Sequence, residues 1–219
     1  MKNKIILSSV TLLSAFILAA CGNGEKKATE TTAAPTTEVA KETTAASTTK
    51  AQTTTPGSSS RAKEISLADT QRIGNEKFGY INIPKDWVVY NDKTQSSKTL
   101  KYLSPDKHNA LIMDSNTKDT VELGPNETFD AQLLADRLYS LFGKHKNRTS
   151  IEGVKAIFAS GDAFLIKVTV KDGSTLYVWV FQKGDKVYTI TIQGSEDMIK
   201  ALRPVLEQSW GLDPNIPGK

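Results

Sequence analysis

Cysteine and histidine are scarce in this chain. Its 219 residues include one cysteine, Cys21, and two histidines, His108 and His145. A single cysteine cannot form an intrachain disulfide or a multi-cysteine metal site, and neither histidine has the spacing of an H-E-x-x-H zinc motif. A G-x-S-x-G turn and a glycine-rich phosphate loop are also missing. The motifs therefore predict no catalytic residues, no metal and no cofactor.

A strong excess of one charge sign is missing as well. The full chain has a formal net charge of +4, and two of its positive charges, Lys2 and Lys4, lie at the extreme N-terminus. Residues 62–219 contain 21 Lys/Arg and 20 Asp/Glu, which leaves a net charge of +1. Because this part has no overall basic field, we expect no nucleic-acid partner.

One apolar run stands out, at residues 5–18, directly after Lys2 and Lys4. It is shorter than the roughly 20 residues of a transmembrane helix. A basic start, an apolar run and small residues at its end are typical of a secretory signal peptide. The run ends in Leu18-Ala19-Ala20-Cys21, which resembles the lipobox of bacterial lipoproteins.

The lipobox resemblance covers residues 1–21 and implies a membrane anchor. It implies cleavage after Ala20 and attachment of a diacylglycerol with palmitate-type chains to Cys21, which places the protein at the extracytoplasmic face of the cell membrane. Two acyl chains hold a soluble domain firmly, whereas one chain binds only marginally. The alternatives are an uncleaved N-terminal anchor and cleavage without lipidation, although the latter would not require a cysteine.

Residues 21–63 differ in composition from the rest of the chain. Thr and Ala dominate them, they contain no aromatic residue, and Val39 is their only branched aliphatic residue. Such a segment cannot bury enough apolar surface to offset its chain entropy, so it predicts a disordered tether. A flexible tether of this length spans about 35 Å. We therefore expect a signal peptide at 1–20, a tether at 21–63 and a globular domain at 64–215.

The globular part contains seven predicted strands. They lie at 78–83, 87–90, 99–103, 110–113, 164–170, 175–182 and 187–193, each bounded by turn residues. Asp172-Gly173 favours a tight turn, so the last three strands should form an antiparallel meander. The strand 175–182 is apolar on both faces, and such a strand needs cover on both.

Two helices are available to provide that cover, at 128–142 and 196–210. Both carry apolar residues at helical spacing, and Pro204 should kink or divide the second. We therefore predict an α+β domain, an antiparallel sheet with helices on both faces in an α/β/α sandwich.

One segment also suggests a family. Residues 79–87, Gly-Tyr-Ile-Asn-Ile-Pro-Lys-Asp-Trp, resemble the start of PsbP-like domains, which are named after an extrinsic subunit of photosystem II. The late meander followed by a C-terminal helix is similar too, and the resemblance covers about residues 70–212. It implies an α/β/α sandwich and a protein-binding or assembly role without a shared catalytic centre. It assigns no functional residue to this chain.

The one local basic cluster is Lys144-His145-Lys146-Asn147-Arg148. Lys144, Lys146 and Arg148 are candidates for contact with an anionic envelope polymer or a lipid headgroup. The alternative is purely structural, since positive charge is favourable after the C-terminus of a helix.

These patterns favour a non-enzymatic binding or assembly module of the bacterial cell envelope. Its partners would be the membrane, through Cys21, and an envelope protein or polymer that the sequence does not identify. Two alternatives stay open, an envelope hydrolase with an unrecognised active site and a protective, immunity-type lipoprotein. A pocket that gathers ionisable side chains would favour the hydrolase, whereas an exposed aromatic or basic patch would favour binding.

Overall fold

A computed structural model describes residues 65–90 and 98–218. All of them belong to one compact unit, Ser60–Lys219. The predicted signal peptide, Cys21 and the predicted tether lie outside the described residues. Within those residues the fold is α+β, with antiparallel sheets and two α-helices.

The larger sheet has seven strands, all paired antiparallel in the order β3-β4-β5-β9-β8-β7-β6. Their bounds are β3 Val88–Val89, β4 Thr99–Leu103, β5 Ala110–Thr117, β6 Arg148–Phe158, β7 Gly161–Val170, β8 Thr175–Lys183 and β9 Lys186–Gly194. Strand β3 is shorter than the predicted segment 87–90, and β6 was not predicted from the sequence.

The predicted meander of the last three strands is confirmed. Thr169 is opposite Thr175 across the first hairpin, and Lys183 is opposite Lys186 across the second. Gly173 in the first turn has a φ of 85°, a conformation that a side chain would strain. The Asp-Gly signal therefore identified the turn correctly.

Two strands form a separate hairpin, β1 Thr70–Asn75 and β2 Gly79–Pro84. The strand predicted at 78–83 is therefore present as β2, and it lies in this hairpin rather than in the seven-stranded sheet. The Asn75 side chain accepts hydrogen bonds from the backbone N–H groups of Lys77 and Phe78, which closes a local turn and pairs β2 with β1.

The main hydrophobic core lies against one face of β8. Tyr177, Trp179 and Phe181 alternate along the strand and belong to a single buried cluster. Phe158 of β6 stacks on Phe181, with ring centroids 4.9 Å apart. Trp87 is buried in the same cluster. Alternate residues of β8, such as Val178, fall outside this cluster and are also buried.

Helix α1 spans Ala131–Gly143 and contacts β6, β7 and β8. The Asp130 side chain accepts from the backbone N–H of Leu133 over 2.8 Å, so Asp130 is the N-cap. The predicted start at residue 128 is wrong because this cap fixes the first turn after Asp130.

Helix α2 spans Glu196–Ser209 and is continuous through Pro204. Pro204 therefore does not divide the helix, which was one of its two expected effects. Proline removes one backbone donor from the helix, while Leu202 and Leu206 on either side are fully buried in the core cluster and hold the helix in place. Neither helix of the described residues is long and apolar enough to cross a membrane.

The C-terminal segment is fastened to the β1–β2 hairpin by Arg72. The guanidinium donates to the backbone carbonyls of Ser209, Asp213, Pro214 and Ile216 and to the Asn82 side chain. Tyr80 and Gly211 also exchange backbone hydrogen bonds. Burial lowers the pKa of Arg72, although the charge of Asp213 opposes that change.

Candidate functional site: a basic corner of the sheet

The predicted basic cluster lies in a tight turn between α1 and β6. The backbone N–H of Lys144 donates to the carbonyl of Leu141 over 3.2 Å, and that of Arg148 donates to His145 over 3.1 Å. Backbone hydrogen bonds within the turn therefore hold it in shape. Its cations follow the C-terminus of α1, where positive charge is favourable.

The three predicted cations do not share one environment. Lys144 and Lys146 are exposed. Arg148 begins β6 opposite Val170 and is half-buried, and its Nε is enclosed without a hydrogen-bond partner among the described residues. Within the same residues, none of the three forms an ion pair.

The structure adds a fourth cation that the sequence analysis missed. The backbone N–H of Lys171 donates to the carbonyl of Asn147 over 2.9 Å, which brings the β7–β8 turn against the basic turn. Lys171 is exposed. We call the set Lys144, Lys146, Arg148 and Lys171 the basic corner.

Asp172, which follows Lys171 in sequence, forms hydrogen bonds within its own turn. The Asp172 carboxylate accepts from the backbone N–H and the hydroxyl of Ser174, at 2.9 and 2.8 Å. Its hydrogen bonds stabilise the hairpin, and no ion pair links it to Lys171 in the described part of the chain.

A second group of charges lies where α2 begins. Glu196 Oε1 accepts from Lys167 Nζ at 2.9 Å and from the Tyr177 hydroxyl at 3.1 Å, and Lys200 Nζ lies 3.4 Å away. Burial alone would raise the pKa of Glu196, but these donors and positive charges outweigh it and lower the pKa. The pKa of Lys167 is raised, chiefly by its hydrogen bond to Glu196.

A similar arrangement is repeated further along α2. Glu207 Oε1 accepts from Arg203 Nε at 2.7 Å and from the indole N–H of Trp179 at 3.1 Å. Each carboxylate therefore links α2 to side chains on the sheet or along the helix. We interpret both groups as structural contacts that orient α2.

The histidines and the remaining carboxylates form no metal centre in residues 65–90 and 98–218, since no three His, Cys, Asp or Glu side chains lie close enough together to hold an ion. His145 Nδ1 accepts from the backbone N–H of Asn147 within the basic turn. Asp114 is half-buried in β5, where burial raises its pKa to about 6.

Comparison with known proteins gives structural similarities only. No family model matches the chain, and no curated protein matches its sequence. The solution structure of the PsbP protein (CyanoP) of Synechocystis sp. is similar at 12% identity and a TM-score of 0.46, covering 65% of this chain and 89% of that one.

Two further solved structures are similar to this chain. One, from Bacteroides thetaiotaomicron, has 12% identity and a TM-score of 0.41, and the match covers 64% of this chain but only 47% of that protein. The other, a Pseudomonas aeruginosa protein of unknown function, has 13% identity, a TM-score of 0.35 and coverage of 62% and 89%. At these values the similarities carry no argument about this chain.

Proposed function

We propose that this protein is a lipid-anchored lipoprotein on the extracytoplasmic face of a bacterial cell membrane. Its globular domain is a PsbP-like α/β/α sandwich that acts as a non-catalytic binding module of the cell envelope. The ligand that the domain binds is an anionic envelope polymer, and the basic corner is the binding surface.

The anchor rests on the sequence around Cys21. The apolar run ends in small residues directly before the chain's only cysteine, in the register of a lipobox. A diacylglycerol at that position would keep the domain within reach of the envelope.

The three-layer arrangement is supported by the contacts of the two helices. Tyr139 of α1 lies against Gly153, on the odd-numbered face of β6, where an added Cβ would be 3.2 Å from the Tyr139 ring. Ile199 and Leu206 of α2 are buried with Trp179, whose side chain lies on the other face of the sheet.

The binding role rests on one observation, the absence of acidic partners at the basic corner in the described residues. Lys167, Lys200, Arg203 and Arg137 each form an ion pair with a glutamate. Lys144, Lys146 and Lys171 are exposed and form none. Uncompensated cations gathered in one place attract a polyanion, and salt screens that attraction.

The test is retention of the full-length lipoprotein, extracted in mild detergent, on purified cell wall. The variant carries Lys144→Ala, Lys146→Ala and Arg148→Ala together. The loss of three cations should weaken retention about tenfold at low salt, since each contact contributes roughly 0.5 kcal/mol. Wild-type retention should fall as salt rises, whereas that of the variant should depend less on salt.

A matched control removes three other charges, through Lys118→Ala, Lys183→Ala and Lys186→Ala, so the net charge is the same as in the test variant. It should be retained like the wild type. Equal retention of the two triple variants would contradict the proposed site. Binding of the wild type to anionic vesicles but not to wall would assign the corner to lipid headgroups instead.

A further inference from the structure

The outer edge of the seven-stranded sheet is a long strand, β6. It pairs with β7 on one side, and no other described strand pairs with it. Ala159 and Ser160 form the turn between β6 and β7, with φ values of 50° and 61°. Two residues with positive φ are typical of a type I′ hairpin.

That turn determines which backbone groups of β6 face outward. Phe158 and Gly161 close the two-residue turn, and the closing pair of such a hairpin is hydrogen-bonded. Even-numbered residues of β6 therefore bond to β7. The odd-numbered residues direct their N–H and C=O groups away from the sheet, and these residues are Ile151, Gly153, Lys155 and Ile157.

Exposed apolar side chains lie along this unpaired edge. Val154 is 56% exposed and Ile157 is 60% exposed, and Tyr139 of α1, beside Gly153, is 41% exposed. A long edge strand with exposed apolar residues is a template for pairing with another strand. The edge is therefore a candidate interface.

We propose that β6 pairs antiparallel with β6 of a second copy of this chain, so that the two sheets become continuous. The two-fold axis passes at Val154, which lies opposite the same residue of the other copy. Each copy supplies the same surface, as a two-fold symmetric interface requires.

Charge selects among the registers in which β6 can pair with its own copy. Opposite residues of an antiparallel pair share one face of the sheet, so the axis must pass at a single residue. An axis at Glu152 or at Lys155 would place like charges directly opposite, which is unfavourable. An axis at Gly153 would place Val154 opposite a glutamate.

An axis at Val154 places compatible side chains opposite each other. It places Ile151 opposite Ile157 and Glu152 opposite Ala156, with each pair occurring twice. Lys155 then lies opposite Gly153, where the missing side chain leaves the Tyr139 ring uncovered at the edge. A lysine beside a tyrosine ring gains a cation–π contact, so this register places apolar residues opposite each other and each lysine next to an aromatic ring.

The two ends of β6 are also oppositely charged. The basic corner lies at its start, and Asp162, opposite Ile157 at its end, is exposed. In an antiparallel pair, the basic end of one copy runs beside the Asp162 end of the other. This attraction favours a second copy over an unrelated strand.

Disulfide crosslinking of the full-length lipoprotein in bacterial membranes tests the register. Val154→Cys should give a disulfide-linked homodimer on mild oxidation, because opposite residues in a non-hydrogen-bonded pair have Cα atoms about 4.5 Å apart, within disulfide range. Glu152→Cys is the matched control. It lies on the same face and strand, but its own counterpart is four residues out of register, so it should stay uncrosslinked. The wild type, whose only cysteine is Cys21, measures the background level of disulfide crosslinking.

Sedimentation in detergent tests the edge itself. Lys155→Pro removes one outward N–H and leaves the bonds to β7 in place, so it should convert a wild-type dimer to a monomer with an unchanged circular dichroism spectrum. A monomeric wild type, equal crosslinking of the two cysteine variants, or crosslinking of Val154→Cys only to a different protein would overturn the proposal.

Discussion

Arg72 donates a hydrogen bond from Nη1 to the backbone carbonyl of Ser209 over 2.8 Å, although the two residues are 137 positions apart. Ser209 is the last residue of α2, where carbonyl groups have no partner within the helix. Ser209 is also tied to the hairpin through its hydroxyl, which accepts from the backbone N–H of Asn82 over 3.0 Å. These contacts join the first hairpin to the last helix.

Replacing Arg72 with methionine should therefore destabilise the domain by about 2 kcal/mol, because several backbone carbonyls lose a charged donor. Urea unfolding of the variant measures the loss. Arg137→Met is the control, since the Arg137–Glu127 ion pair is exposed and such pairs contribute less than about 1 kcal/mol. Equal destabilisation by both changes would contradict the importance of the Arg72 contacts.

Gly79→Ala should be more damaging than Gly173→Ala. Gly79 has a φ of 75°, and an added Cβ would lie 2.7 Å from the Trp210 ring. We expect a cost of about 3 kcal/mol from backbone strain and overpacking together. Gly173→Ala shares the positive φ but has no atom within 4 Å, so it should cost only about 1–2 kcal/mol. Thermal or urea unfolding compares the two.

Asp114 should make the stability of the domain depend on pH. Burial raises its folded-state pKa to about 6, whereas an unfolded aspartate titrates near about 3.9. The folded protein therefore binds more protons between these values, and stability falls as the pH rises from about 4 to 6.

Asp114→Asn removes this titration and should be more stable than the wild type at pH 7, by about 1–2 kcal/mol. The difference should shrink towards pH 4, where the wild-type carboxyl is protonated. Unfolding at several pH values tests this, and a difference that stays constant with pH would contradict it. The hydrogen bond that Asp114 accepts from the backbone N–H of Ser115 can be kept by asparagine.

Cys21→Ser should abolish the lipid anchor. We expect the wild type to incorporate radiolabelled palmitate, to begin at Cys21 and to fractionate with membranes. The variant should incorporate no label, because serine cannot form the thioether. Mass spectrometry of the native protein gives an independent check, and an unmodified thiol or an intact leader would contradict the lipobox.

Lys171→Ala should weaken retention on purified cell wall by two- to threefold, as expected for one surface cation. The effect should add to that of the triple variant in the basic turn. Lys183→Ala, in the other hairpin of the same meander, is the control and should have no effect. A null result for Lys171 would restrict the site to residues 144–148.

The sequence predicted the meander and both helices because their signals are local. Asp172-Gly173 identifies a tight turn, and the residues of β8 are apolar on both faces, as a central strand requires. The two helices have regular apolar spacing, and only their ends shifted, since the Asp130 cap fixes the start of α1.

The sequence did not predict β1 and β6, because these strands are stabilised by pairing with other strands and have no clear local hydrophobic pattern. Strand β1 has one strongly apolar residue, Ile73, and depends on pairing with β2. Strand β6 is an edge strand with mostly exposed side chains, so its sequence lacks clean alternation. Its turn consists of Ala159 and Ser160, neither of which is a typical residue for positive φ.

The sequence predicted three of the four residues of the basic corner and missed the fourth, which only a tertiary contact brings there. Lys144, Lys146 and Arg148 are neighbours in sequence, so the cluster was visible. Lys171 joins them through a backbone hydrogen bond to Asn147 across two different loops. No local signal brings such residues together, because the pairing of β6 with β7 creates the contact.

The Arg72 contacts also determine how the domain would respond to mechanical force. A pull on the chain ahead of Ile65 reaches β1 first, and β1 belongs to the small hairpin rather than to the seven-stranded sheet. Tension applied there would therefore load the β1–β2 pairing and the Arg72 contacts before it reached the seven-stranded sheet. With the proposed anchor at Cys21, the hairpin would be the first part of the domain to bear any load transmitted through the chain.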